Sequence, residues 1–272
     1  MTQARRKCWL SWSSGKDACY ALHVLRDDPT VEVVGLMTSV NQSANRVAMH
    51  AVRAALLQEQ ADAAGLPLYQ IQLPFPCTNE AYEAAMRGAV AAAKAADVEV
   101  IAFGDIFLED VKRYREEKMA DTGIDTMFPL WGRDTSQLAR DIIDAGVQAV
   151  LTCIDPKRLP ASFAGRTFDE QLLQDLPDGV DPCGENGEFH TFVTAAPRAL
   201  RKTIAVHAGR DPRLVVERGG FVFHDIVPLG VALHEAAAEA AAARSEAAAA
   251  DAAAAAVAEE EGSQCPVCTS HE

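Results

Sequence analysis

Two short stretches of the 272-residue chain concentrate side chains able to do chemistry. The first, Ser13-Ser14-Gly15-Lys16-Asp17, places two hydroxyls, an ammonium and a carboxylate around a glycine, directly after the mostly apolar and aromatic run Lys7 to Trp12. A turn of this kind between a strand and a helix aims backbone N–H groups, the positive end of the helix dipole and one ammonium into a small volume, which suits phosphate. The second is Gly184-Glu185-Asn186-Gly187-Glu188-Phe189-His190-Thr191. Two carboxylates three residues apart, an imidazole and flexible glycines could bind magnesium, orient an amine nucleophile or move a proton. Taken alone, the same residues also suit a tight turn with solvated acids, because acidic side chains in loops are mostly exposed.

The first stretch is not a Walker loop. That pattern needs a glycine five positions before the Gly-Lys pair and a Ser or Thr after the lysine, whereas Leu10 and Asp17 stand there.

The elements that must position these residues alternate along the chain. Lys7 to Trp12 reads as a strand and Ala18 to Leu25 as an amphipathic helix. Val31 to Val40 is a continuous apolar, β-branched run, fit for a strand buried on both faces. His50 to Ala64 has helical spacing, with Gly65 as C-cap. Leu68 to Leu73, Val98 to Phe103 and Asp125 to Trp131 read as further strands. Between them fall a helix capped by Thr78 and running to about Ala96, and a charged helix from Asp110. This alternation predicts a Rossmann-like α/β domain with a five-stranded, mostly parallel sheet over residues 1–132. With the first strand central, Ser13 to Asp17 and Gly104-Asp105 would meet where strand order reverses, the place such sheets bind ligands.

A smaller α+β domain is expected over 133–233, with a helix from Thr135 to Ala145 and a strand from Val147 to Ile154. His190 to Thr194, Lys202 to His207, Leu214 to Glu217 and Phe221 to Val227 follow as β-rich segments, with a hairpin turn at 217–220. The last stretch, 234–272, is an Ala-rich acidic tail: 16 of the 21 residues from Ala236 to Ala256 are alanine, which favours helix but offers little apolar area for docking.

Composition narrows the classes. Hydrophobic residues at 49% support a proper core, and no apolar run approaches the length of a membrane span, so a cytoplasmic protein without a membrane partner is expected. Seven scattered cysteines point to reduced thiols rather than a disulfide framework. The net charge of −14 makes broad contact with a nucleic-acid backbone unfavourable. Cys265, Cys268 and His271 offer three metal ligands, one short of a closed zinc site.

Ser13 to Ala18 resembles the pyrophosphate loop of ATP pyrophosphatases, usually Ser-Gly-Gly-Lys-Asp-Ser, with Ser14 in place of a glycine and Ala18 in place of the last serine. Gly184 to Thr191 looks like the Gly-Glu-x-Gly-Glu-Tyr/Phe-His-Thr motif of the diphthine–ammonia ligase family. Phe103-Gly104-Asp105-Ile106, Tyr114-Arg115-Glu116 and Phe128-Pro129-Leu130-Trp131 match the same family pattern in chain order. The resemblance covers about residues 7 to 195. It implies an adenine-nucleotide α-hydrolase-like fold, ATP and Mg2+ as cofactors, and a reaction in which a carboxylate is adenylated, pyrophosphate leaves and ammonia forms an amide. By the same resemblance Ser13, Ser14, Gly15, Lys16 and Asp17 would hold the β and γ phosphates, with Gly104, Asp105 and Arg115 beside the nucleotide. Lys16, Asp17, Glu185, Glu188 and His190 would carry catalysis, Thr191 would join the last three on the acceptor side, and Asp17 would be the magnesium ligand. The acceptor is a small-molecule or protein-bound carboxylate, and a homodimer is compatible with the reading.

Three alternatives compete on residue grounds. Arg115 could clamp a phosphate or carboxylate, or simply pair with Glu116, Glu117 or Asp110 on its own helix. A tRNA-modifying sulfurtransferase would need a catalytic cysteine and a basic surface. A nucleotide-binding module without turnover would leave the Glu185 to His190 cluster without a purpose.

Overall fold

Apolar residues alternate along the first strand, β1 (Arg6–Ser11), and the alternation decides how it is buried. In the computed structural model, which describes residues 4–47, 50–209 and 220–230, Cys8, Leu10 and Trp12 enter one core, and Trp9 enters a second with Met37, Ile71 and Ile101. A strand buried on both faces belongs in the middle of a sheet. β1 indeed lies between β2 (Val31–Asn41) and β5 (Val100–Ala102), parallel to both. β4 (Leu68–Leu73) extends the sheet beyond β2, and β6 (Asp125–Met127) extends it beyond β5. The order β4-β2-β1-β5-β6 is wholly parallel and reverses between β1 and β5, as the sequence reading expects.

Helices cover both faces. α1 (Lys16–Asp27) and α2 (Ala54–Ala64) pack on the Leu10 side. α3 (Asn79–Ala95) and Met119 of α4 (Glu109–Met119) pack on the Trp9 side. The caps follow the chemistry: Thr78 accepts the N–H of Ala81 at the start of α3, and Gly65 takes the left-handed conformation that ends α2, at φ 70°.

Several boundaries differ from the sequence reading. The helix expected from His50 begins at Ala54, because Arg46 and Arg53 pair antiparallel ahead of it. β3 (Arg46–Val47) runs antiparallel to β2 and continues the edge that β1 leaves after Met37. The N–H of Val47 meets the carbonyl of Val52, and His50 lies between them in the chain. The fifth strand stops at Met127 because Phe128 to Trp131 turn, the Trp131 N–H reaching the Phe128 carbonyl.

The remaining described elements are α5 (Thr135–Asp144), β7 (Gln148–Ile154), α6 (Glu170–Asp175), β8 (Phe189–Ala195) and three short strands, β9 (Val206–Ala208), β10 (Val222–Phe223) and β11 (Ile226–Pro228). β7 pairs antiparallel with β8 and β10, and β9 with β11. The run from Phe221 to Val227 is therefore split between two sheets, since the His224 N–H turns back to the Thr152 carbonyl. Phe189, Phe192 and Val193 of β8 share the Leu10-side core with α1 and α2. These elements lie in the first of two compact units, Met1–Pro228; the second begins at Leu229. The strand expected over 214–217, most of the 217–220 turn, the alanine-rich segment and Cys265, Cys268 and His271 lie outside the described residues.

Candidate active site

The turn after β1 places Gly15 as the N-cap of α1, with Lys16 and Asp17 in its first turn. Ser14, which stands where the pyrophosphate-loop pattern has glycine, adopts φ 72°. That left-handed conformation is easy for glycine and uncommon for serine, so the backbone keeps a glycine-type turn although the residue changed. Ser14 is fully buried; its carbonyl accepts the Val193 N–H at 3.0 Å and Gln60 Nε2 at 3.2 Å. Gln60, also fully buried, accepts from Trp12 Nε1 at 2.9 Å and donates to the Val193 carbonyl at 2.7 Å. One amide thus fastens β1, the loop and β8 together.

Lys16 makes the decisive link. Its backbone N–H donates to Thr191 Oγ1 at 3.0 Å. Its side chain, only 2% exposed, donates to Asp17 Oδ2 at 3.0 Å and to the Cys183 carbonyl, between the rings of Phe168 and Phe189 at 5.3 and 5.1 Å. Burial, the largest single influence, pulls the amine's pKa down, but the acidic groups around it, Asp17 first and then Cys183 and Glu185, together outweigh it and keep Lys16 charged, with its pKa above the ordinary value. Burial also raises the Asp17 carboxyl, against the pull of Lys16. Rather than reaching outward, Lys16 bolts the phosphate-type loop to the 183–191 segment.

That segment reaches the sheet from the other side. Glu185 Oε1 accepts the Ile106 N–H at 2.7 Å, which brings it to the end of β5. Burial first, then the neighbouring Asp17 and Asp105 carboxylates, push its pKa up to about 7, although the Ile106 N–H opposes the shift. Glu188 is fully buried and holds the turn it belongs to: its Oε1 accepts from the Asp181 N–H at 3.2 Å and Asn186 Nδ2 at 3.1 Å, with Arg158 at 3.7 Å. Asp181 in turn accepts the N–H groups of Cys183 and Glu185.

His190 stacks on His50, ring centroids 4.4 Å apart. Burial and the Lys16 ammonium hold His190 down at about 4; burial, His190 and Lys16 push His50 well below the ordinary imidazole range. Both rings are neutral at pH 7.

Gly104 lies where expected: a Cβ there would meet the Ala18 nitrogen and the Asp17 carbonyl carbon at 3.2 Å, so the end of β5 closes on the loop. Arg115 does not pair with Asp110, Glu116 or Glu117. It grips Asp105 with two hydrogen bonds of 2.6 and 3.0 Å and covers the Phe103 ring at 4.4 Å, while Lys112 and Arg113 take up Glu116 and Glu117. Ser13 closes the turn, its Oγ accepting the Gly15 N–H at 3.4 Å.

Three buried polar atoms around the loop have no hydrogen-bond partner: Ser14 Oγ, Asp17 Oδ1 and His50 Nδ1. Orphaned atoms of this kind mark a place for a ligand. Among the described residues no three His, Cys, Asp or Glu side chains gather as a metal cage. The free Asp17 oxygen does suit magnesium, which is commonly held by one or two carboxylates together with substrate phosphates. Cys153 and Cys183 are buried, and burial pushes the Cys153 thiol up to about 12 and the Cys183 thiol well above its ordinary range, so neither is a nucleophile at neutral pH.

His50, Gln60 and Asp181 belong to the site without having been singled out in the sequence. Gln60 did carry a signal, a polar residue at core-facing spacing beside Leu56, Leu57 and Ala61. His50 carried none, because only the tertiary structure brings it beside Gly15.

Comparison with known proteins adds to this geometry. Residues 6–125 match the diphthamide synthase N-terminal domain and residues 134–221 the diphthamide synthase C-terminal domain. The chain is 27% identical over 219 residues to diphthine–ammonia ligase of Homo sapiens, covering 71% of this chain and 80% of that one. The corresponding protein of Bos taurus is 26% identical over the same coverage. That of Danio rerio is 32% identical over 103 residues, 36% of this chain and 40% of the relative.

Proposed function

The chain belongs to the diphthamide synthase family, and on that premise we propose that it is an ATP-dependent amide ligase of the diphthine–ammonia ligase type. An acceptor carboxylate attacks the α-phosphorus of ATP and pyrophosphate leaves. Ammonia then attacks the acyl carbon of the adenylate; the C–N bond forms, the C–O bond breaks with its electron pair going to AMP, and one proton is released. The acceptor is a carboxylate, diphthine where the cell makes it and a different acid otherwise.

The observation that carries the reading is the double link between the loop and the 183–191 segment, Lys16 N–H to Thr191 Oγ1 and Lys16 Nζ to the Cys183 carbonyl. Phosphate-type donors and acid–imidazole chemistry share one site because of it. Ser13 to Asp17 would receive the β and γ phosphates, with Gly104 and the Asp105–Arg115 pair beside the nucleotide. Magnesium, held by Asp17 and the phosphates, would neutralise phosphate charge. Glu185, its carboxyl near pKa 7, is suited to take the proton that ammonia loses. His190 and Thr191 line the same face, and Glu188 fixes the turn that presents them. No helix among the described residues is long and apolar enough to cross a membrane.

Product analysis tests the proposal. The protein is incubated with ATP, magnesium, ammonium and fractionated cellular carboxylates, and AMP plus pyrophosphate is separated from ADP plus phosphate. Acceptor-dependent AMP is the expected result. ADP, or tight ATP binding without product, refutes the ligase reading.

A further inference from the structure

His50 reaches the loop from an element outside both motifs. It follows β3, which continues the sheet edge beyond the carboxyl end of β1, and precedes Arg53, which bridges back to Arg46. A Cβ on Gly15 would stand 3.3 Å from His50 Cε1 and 3.3 Å from both the carbonyl oxygen and Oγ1 of Thr191. The imidazole therefore stands against the glycine of the loop, while Gly104 closes on Asp17 and Ala18.

The state of the ring follows from its surroundings. The Thr191 backbone carbonyl stands beside the ring and favours a proton on it, and Nδ1 is left buried without a partner. The ring is neutral, so it carries one proton, and with that proton on Nε2 the unpartnered Nδ1 is the bare nitrogen. Nδ1 then presents a bare lone pair. A lone pair takes a hydrogen from an uncharged N–H or O–H and gains nothing from a phosphate oxygen, which is itself only an acceptor.

We infer that His50 is a nucleotide-contacting residue whose Nδ1 accepts a hydrogen bond from the nucleoside part of ATP, a ribose hydroxyl or the adenine amino group. The inference rests on the nucleotide site proposed above. It divides recognition in that site: the loop takes the phosphates and His50 takes a nucleoside donor.

Calorimetry with two probes tests it without any acceptor: a non-hydrolysable ATP analogue, and inorganic tripolyphosphate, which carries no nucleoside donor. His50→Ala is expected to weaken the analogue about tenfold, the worth of one hydrogen bond, and to leave tripolyphosphate within about twofold. His50→Gln, whose side-chain carbonyl is again an acceptor, restores most of the loss. Unchanged analogue binding in His50→Ala overturns the inference, and so does equal weakening of both probes, which would mean a phosphate contact or a structural role. A wild type that binds the analogue no better than tripolyphosphate overturns it as well. If the wild type binds the analogue and yet forms no AMP, the ligase reading falls while the comparison of the two probes still decides His50.

Discussion

Replacing Lys16 by methionine separates two roles that one lysine cannot both hold in the ligand-free protein. Methionine keeps the apolar stem between Phe168 and Phe189 but removes the ammonium, and with it the bonds to Asp17 and to the Cys183 carbonyl. Breaking a buried ion pair by removing one partner costs about 3–5 kcal/mol, because the other charge stays buried. Here the cost falls near the lower end, about 3 kcal/mol, since the Asp17 carboxyl is already raised and neutralises itself more readily than an ordinary carboxylate. For a chain of this size each kcal/mol moves the melting temperature by about 2–4 °C, so Lys16→Met should melt about 6–12 °C lower. The assay is thermal melting followed by circular dichroism, alongside the double variant Lys16→Met/Asp17→Asn. Removing both partners should recover at least about half of the loss, because no lone charge remains. ATP turnover is measured on the same samples. A melting temperature unchanged within about 2 °C, with turnover lost, would place Lys16 on phosphate alone and refute its role as the bolt between the two motifs.

Two further outcomes follow from neighbouring residues. The folded-state pKa of Glu185, about 7, lies above the ordinary carboxyl value of 4.5, so the folded chain holds that proton more tightly than the unfolded chain between those limits. The stability it contributes is full below the window and is lost as pH rises through it; His190, depressed to about 4, acts with the opposite sign over a lower window. Urea melts of Glu185→Gln against wild type should therefore shift in favour of the variant from pH 4.5 to about pH 8, and parallel profiles would contradict the shift. Gln60→Leu strands the Trp12 N–H and withdraws a donor from the Ser14 and Val193 carbonyls, so urea denaturation should register a loss of about 2–4 kcal/mol, and a loss under about 1 kcal/mol would remove the amide as a fastener.

Local pattern determined much of this protein. The alternation of Cys8, Trp9, Leu10 and Trp12 fixes β1 as a strand with two buried faces, and such a strand must be central. Leu68–Leu73, the Thr78 cap and the Gly65 stop were legible because each depends on residues within one turn or one strand. The loop and the Gly184–Thr191 motif were legible as chemistry for the same reason, their donors and acids being close in sequence. Tertiary structure alone decided what those groups do to one another. Lys16 reads as an outward ammonium until β8 places Thr191, Cys183 and two phenylalanine rings around it. Arg115 has three acids near it in sequence, none at the three- or four-residue spacing that faces it on the helix, and chooses Asp105, because a strand end offers a partly buried, bidentate carboxylate where its own helix offers exposed ones. His50 shows no periodic cue; it joins the site only because Arg46 pairs with Arg53 ahead of a helix that starts at Ala54, and the ring comes to lie beside Gly15. Partners distant in sequence leave no trace in spacing, and it is these that bury Glu185, His50 and His190 and so shift their pKa values.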